Sequence, residues 1–225
     1  MLSFLLELVP SLLVGFWLGG QQPELSTRLA RPLVRFGVPL SVMGLLLRGG
    51  LTSAVLKAAV VAPVVVSLWL VLVSIQSAGN PHRSSALRLG SCVGNTAYVG
   101  VPLALAFLPE TALPITIGYD IGATLFTWSV GAVMLAGGSL QSSSLLRGAA
   151  QGLLLSPASR GLLGALLVQW TPWNESLADA LWWPSRLVLI LALFVVGLRL
   201  GALFRDRRIP GLLNPGLRAA LVGKL

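Results

Sequence analysis

The sequence predicts an all-α protein that crosses a membrane several times. Hydrophobic residues make up 55% of its 225 residues and charged residues only 10%, whereas an average soluble domain carries about 25% charged residues. The mean hydropathy is +0.85. Several apolar stretches approach the roughly 20 residues that a helix needs to cross the hydrocarbon core of a bilayer. A soluble fold of this composition would have too few polar residues to cover its surface.

Seven membrane spans are predicted from the apolar stretches and the turn residues between them. They cover residues 2–18, 32–47, 53–75, 86–108, 113–136, 157–170 and 181–204. Residues 211–225 resemble the start of an eighth span. Segment 137–156 is rich in Gly, Ser and Gln, and we take it as a cytoplasmic loop between a first five-helix unit (1–136) and a second, partial unit (157–225).

Basic residues are distributed unevenly between the two sets of connections. The connections after spans 1, 3, 5 and 7 hold Arg28, Arg31, Arg35, Arg83, Arg88, Arg147, Arg160, Arg199, Arg205, Arg207 and Arg208, whereas the other side holds Arg48, Lys57 and Arg186. Because cytoplasmic connections are enriched in Lys and Arg, the N-terminus is predicted outside. Four tryptophans then fall at the outer boundary, where such rings gather, namely Trp170, Trp173, Trp182 and Trp183. Short loops favour a prokaryotic plasma membrane.

Several other function classes are not expected. The net charge of +9 comes from basic residues scattered between apolar stretches, so no nucleic-acid-binding face is predicted. One cysteine and one histidine, Cys92 and His82, provide neither an intrachain disulfide nor a metal cluster, and no cofactor is expected. The sequence also has no nucleophile–base set, catalytic carboxylate pair or nucleotide-binding loop, so we do not expect an enzyme.

The fourth span contains a helix-breaking segment, Gly-Asn-Thr-Ala-Tyr-Val-Gly-Val-Pro, at residues 94–102. Pro102 has no backbone N–H and crowds the carbonyl of Tyr98, and Gly94 and Gly100 lower the helix propensity around it. We therefore expect a break near the middle of the membrane, with the second half beginning near residues 101–103.

Such a break has a chemical consequence. Unpaired backbone groups at that depth are tolerated only when they are buried in protein or face a water-filled cavity. The N–H groups at the start of the second half favour an anion such as a carboxylate. Asn95 and Thr96 add side-chain donors and acceptors. A kinked helix packed among its neighbours, with Asn95 bonded to an adjacent backbone, is an alternative that the spacing leaves open.

Asp120 lies about eight residues into span 5, roughly 12 Å from its outer end. A carboxylate at that depth is costly unless it is paired, hydrated or protonated, so a proton-coupling or site-supporting role is expected, with a structural hydrogen-bond anchor as the alternative. Tyr98 and Ser41 could face the same cavity as Asn95, although core packing is the commoner role for either.

Three more charged residues lie near the outer ends of the spans. Lys57 is expected to extend to the interface. A pairing of Glu7 with Lys57 is considered, and Arg186 is interpreted as a boundary charge.

The segment from Gly94 to Leu103 resembles the signature of the auxin efflux carrier family of membrane carriers, which includes the plant PIN proteins. In that family a Gly-Asn-Thr element followed by Gly-x-Pro marks the crossover of the fourth helix. The similarity covers essentially the whole chain and extends to Gly37-Val38-Pro39-Leu40 in span 2, Asp120 in span 5, Ser156-Pro157 before span 6, and Gly197 and Gly201 in span 7.

The resemblance implies a ten-helix fold of two inverted five-helix repeats, with broken helices 4 and 9 crossing at the substrate site. A weak similarity between spans 2 and 7 is compatible with such a repeat. The family resemblance also implies a secondary transporter that moves small organic anions by alternating access, often coupled to protons or the membrane potential. The expected crossover residues are Gly94, Asn95, Thr96, Tyr98, Gly100, Val101 and Pro102, with Asp120, Ser41 and Pro39 in coupling or supporting roles. The expected partners are the lipid bilayer and a small organic anion, with a homo-oligomer left open.

The sequence departs from the family pattern at its C-terminal end. It stops at Leu225, inside what would be helix 8, so the family's helix 9, with its second crossover, and helix 10 fall outside it. Two alternatives to a carrier of the auxin efflux type stay open. One is a sodium-coupled carrier of the bile-acid type, and the other is a truncated membrane protein that does not transport.

Overall fold

The computed structural model describes residues 2–76, 84–135, 147, 150–151 and 154–205. The predicted eighth segment and most of the 137–156 loop lie outside these residues. The main helices are α1 (Leu2–Gln21), α2 (Pro23–Gly49), α3 (Ser53–Gln76), α4 (Ser85–Cys92), α5 (Val101–Phe107), α6 (Leu113–Phe126), α7 (Pro157–Gln169) and α8 (Asn174–Arg205). Helix α6 continues through Thr127–Gly131 into Ala132–Leu135.

The all-helical class is confirmed. No strand occurs in the described ranges. Four helical segments within them are long and apolar enough to cross a membrane: Pro23–Gly49, Ser53–Ile75, Ser85–Phe107 and Asn174–Arg205. The count of seven spans, their orientation and the inverted repeat stay predictions.

Two helices begin earlier than hydropathy indicates. Helix α2 starts at Pro23 and α8 at Asn174, whereas the predicted spans start at residues 32 and 181. Proline is favoured in the first turn of a helix because its missing N–H would have no partner there. Both added segments are polar, so a search for apolar stretches does not detect them. Part of the predicted loop 137–156 is also helical, at residues 147, 150–151 and 154–155.

The helices pack into two groups, which we call the first and second panels. In the first panel, α8 packs along α1 and against α2, and α7 packs on α2. In the second, α3 packs on α6 with α4 beside it. Leu46, Leu189 and Leu198 are fully buried in the first panel, and Ile117 and Ile121 of α6 extend the apolar core into the second. The candidate site lies between the panels.

Helices α1 and α8 run parallel in close contact, along what we call the seam. Successive contacts pair Ser11 with Ile190, whose carbonyl accepts a hydrogen bond of 2.9 Å, and Gly19 with Leu198. At the far end, the Arg205 guanidinium donates to the Gly20 carbonyl. A Cβ on Gly19 would collide with the backbone of Leu198, so the close contact between α1 and α8 at this position requires glycine. Small residues allow membrane helices to pack this closely.

An ion pair ties the opposite end of the seam. The Arg186 guanidinium lies 3.1 Å from the Glu7 carboxylate, with 19% of the Arg186 side chain and 42% of the Glu7 side chain exposed. The considered pairing of Glu7 with Lys57 is therefore wrong, because Glu7 pairs with Arg186. The parallel packing explains this pairing, because it places Arg186 one turn before Ile190 and Glu7 one turn before Ser11. Lys57 is exposed.

The sequence Gly-Val-Pro-Leu occurs twice and has the same local structure both times. A π-helical turn ends at Gly37 and another at Gly100, each two residues before a proline, Pro39 or Pro102. In both cases the proline lies in the first turn of the α-helix that follows. A π turn inside an α-helix is rare and often marks a functional site.

Candidate functional site

The fourth span is broken, as predicted, and the break lies at the N-terminal end of the predicted segment 94–102. The chain leaves helix α4 at Val93, which is extended, and becomes helical again at Thr96. The α-helix of the second half begins at Val101, as expected, but a π-helical turn from Thr96 to Gly100 precedes it. The first exposed N–H groups of the second half belong to the turn that begins at Thr96.

Two local features explain this position. The Asn95 side-chain oxygen accepts a hydrogen bond of 3.2 Å from the Tyr98 backbone N–H, so Asn95 acts as the N-cap that starts the second half. The wider π turn from Thr96 to Gly100 then leads into Pro102 without a break, because its carbonyls bond to N–H groups five residues ahead, as Thr96 does with Val101. The helix therefore continues through Pro102, where we expected an interruption.

A cavity of about 220 Å³ lies at this break, between the two panels. It brings together seven of the ten predicted site residues: Ser41, Gly94, Asn95, Thr96, Tyr98, Val101 and Asp120. The other three, Pro39, Gly100 and Pro102, do not line it. Pro102 is fully buried behind the wall, where it shapes the backbone.

Asp120 is the most constrained side chain of the site. It is only 7% exposed, and its carboxylate accepts a hydrogen bond of 2.5 Å from the Thr96 hydroxyl. The Thr124 hydroxyl, one turn along α6, is a second hydrogen-bonding neighbour. The carboxylate thus links the first residue after the break to the middle of α6.

Of the residues that the structure describes, Asp120 is also the only charged one that lines the cavity. Among the described residues, no Lys, Arg or His forms a salt bridge with it. A buried carboxylate is costly without a compensating cation or a proton, and hydroxyl partners offset only part of that cost.

Aromatic and polar groups complete the cavity wall. The Tyr98 hydroxyl is buried and has no hydrogen-bond partner among the described residues, and it belongs to the cavity lining. The Ser41 hydroxyl also lies at the cavity, but it donates to the Val38 carbonyl of its own helix at 3.1 Å. The remaining wall is mainly apolar, with Val38, Val42, Leu45, Ala123 and Leu189.

Sequence reasoning missed Thr124, Thr127 and Trp128, which line the cavity from α6 and its π-helical continuation. One signal was available for Thr124, because residues four apart share a helix face and Asp120 had already been singled out. Trp128 could not be found in this way, because the π turn rotates the residues that follow Phe126.

The site offers no metal-binding cluster, since no group of three His, Cys, Asp or Glu occurs in the part of the chain that the structure describes. Comparisons of the chain with protein-family models, with curated proteins and with solved structures found no match.

Proposed function

We propose that the protein is a secondary carrier that moves a small organic ion through the cavity at the helix break. The observation that carries the proposal is the buried Asp120, which has no cationic partner among the described residues and lies beside a broken helix, at a cavity between two helix panels. Ionisable residues inside a membrane are costly and mark transport pathways by default. Broken helices near the midplane are the usual substrate sites of such carriers.

Alternating access requires one part of the protein to move against another. The two panels are suitable units, because the closest helix packing occurs within each of them. The cavity lies on the boundary that such a movement would open and close. This arrangement supports alternating access around the fourth span.

A small organic anion is the cargo class that the resemblance to auxin efflux carriers implies. The N-terminal end of the helical turn that begins at Thr96 favours a carboxylate, but the charge of Asp120 opposes one. An anion therefore fits if Asp120 carries a proton when the cargo binds. This version of the proposal makes the protein a proton-coupled anion carrier.

A small organic cation is the second candidate cargo, and one specific observation favours it. The only charge that the described residues place on the cavity wall is negative, and the rings of Tyr98 and Trp128 line the same cavity. A carboxylate with aromatic walls is the arrangement that binds alkylammonium groups. In this version Asp120 stays ionised and acts as the counter-ion.

Flux into proteoliposomes that contain the full chain tests these candidates. The probes are radiolabelled benzoate and tetramethylammonium, each measured with and without a pH gradient and with and without sodium. If the cargo is a cation, the Asp120→Asn variant should abolish tetramethylammonium flux. If the cargo is an anion, the same variant should make benzoate flux independent of the pH gradient. Glu24→Gln, which changes an exposed carboxylate far from the cavity, is the matched control.

Two outcomes would redirect the proposal. Strict dependence on sodium would favour the bile-acid type of carrier. Absence of flux with every probe, from protein that is folded and inserted, would favour a membrane protein that does not transport.

A further inference from the structure

A second cavity lies on the first panel, away from Asp120. It is a groove of about 240 Å³ between α2 and α8. Its lining is Leu29, Pro32, Leu33, Gly37, Leu191 and Val195, and all six residues are apolar. We call it the α2–α8 groove. Leu33 and Gly37 are the two ends of the first π turn, so the groove lies where α2 departs from regular helix.

The two helices run antiparallel beside the groove. The Ser185 hydroxyl faces the Leu40 carbonyl, and a Cβ on Gly37 would contact Val188. Residues later in α8 therefore lie beside residues earlier in α2. The start of α2 and the end of α8 therefore lie at the same end of the groove. The sequence predicts this end to be cytoplasmic.

Two arginines flank that end. Arg28 lies one turn before Pro32 in α2, and Arg199 lies one turn after Val195 in α8. Residues four apart share a helix face, so each arginine continues the side of its helix that lines the groove. Both are exposed. In the described part of the chain no carboxylate pairs with Arg199, and the Arg28–Glu24 pair is a solvent-exposed i,i+4 contact of 3.2 Å that is too weak to neutralise the arginine.

We propose that the α2–α8 groove binds an anionic phospholipid, with an acyl chain in the groove and the phosphate between Arg28 and Arg199. The groove supplies an apolar slot and the two arginines supply the positive charge that a phosphate requires. A zwitterionic lipid could use the slot but would gain less from the arginines. This inference is independent of the proposed transport function.

Charge also favours a lipid over a second copy of the chain. A two-fold symmetric contact places the same patch of both copies face to face. Two sets of Arg28 and Arg199 would then approach each other, four positive charges against the two exposed Glu24 carboxylates. An anionic headgroup removes this repulsion.

Native mass spectrometry of the purified full chain tests the proposal directly. The protein is mixed with phosphatidylglycerol and phosphatidylcholine of identical acyl chains, and the retained lipids are counted. We expect phosphatidylglycerol to be retained preferentially. The Arg28→Gln/Arg199→Gln variant should bind it at least about tenfold more weakly, because it removes both of the basic residues that attract the phosphate.

Two further variants separate charge from shape. Leu191→Trp fills the groove, leaves both arginines in place and should reduce retention of both lipids. Lys57→Gln/Arg147→Gln removes the same charge from exposed positions elsewhere and should bind as the wild type does. Equal retention of the two lipids by the wild type, unchanged binding in the double arginine variant, or a lipid-free dimer held through this groove would each overturn the proposal.

Discussion

The Thr96 hydroxyl donates a hydrogen bond of 2.5 Å to the Asp120 carboxylate, across the boundary between the broken fourth span and α6. This contact joins two residues that sequence reasoning selected for separate reasons, one as part of a helix break and the other as a charge at depth. It fixes the first turn after the break against a helix of the second panel. Thr96 and Asp120 therefore define the centre of the candidate site.

Removing the Thr96 hydroxyl should loosen the break. Thr96→Val keeps the shape of the side chain but leaves the carboxylate without this donor, and hydrogen bonds to charged groups contribute about 1.5–3 kcal/mol. We expect the free energy of unfolding in detergent to fall by about 2 kcal/mol, whereas Thr96→Ser, which retains the hydroxyl, should stay close to wild type. Equal stability of the Val and Ser variants would show that the bond contributes nothing.

Asp120→Asn distinguishes a functional carboxylate from a structural anchor. The amide has the same shape, its oxygen can still accept from Thr96, and it removes a buried charge with no described cationic partner. We therefore expect unchanged or higher thermal stability together with altered flux. A drop of several degrees in Tm, with flux retained, would instead identify Asp120 as an anchor.

Much of this site could be predicted from the sequence, because its rules are local. Gly94 and Asn95 have low helix propensity and indicate a helix break, and Asp120 is conspicuous in an apolar span. The position of the break could not be predicted, because it depends on whether Asn95 caps the second half and on a π turn that accommodates Pro102. The Glu7–Arg186 pair could not be predicted either, because it depends on how α1 and α8 are aligned in space.

The Glu7–Arg186 ion pair should contribute measurably to stability. Arg186 is only 19% exposed, so the pair is less screened than a surface pair, which contributes about 0–1 kcal/mol. A double-mutant cycle with Glu7→Gln and Arg186→Gln should give a coupling energy near 1 kcal/mol by denaturant unfolding. The corresponding cycle with Glu7→Gln and Lys57→Gln should give no coupling. Coupling of Glu7 to Lys57 would contradict the parallel packing of α1 and α8.

Two adjacent glycines of α1 give a matched test of the seam. A Cβ on Gly19 would collide with the Leu198 backbone, which cannot move without displacing α8, whereas a Cβ on Gly20 would meet only the Gly201 carbonyl at an ordinary 3.8 Å. Overpacking a tight contact costs about 1–3 kcal/mol, while replacing a helical glycine by alanine gains up to about 1 kcal/mol. Gly19→Ala should therefore lower the free energy of unfolding and Gly20→Ala should hold or raise it. The opposite signs are the informative result, because both variants add one methyl group to the same helix turn, and only contact with α8 distinguishes them. If both variants were stabilised equally, α1 and α8 would not be in close contact at Gly19, and the packing described for the first panel would be wrong.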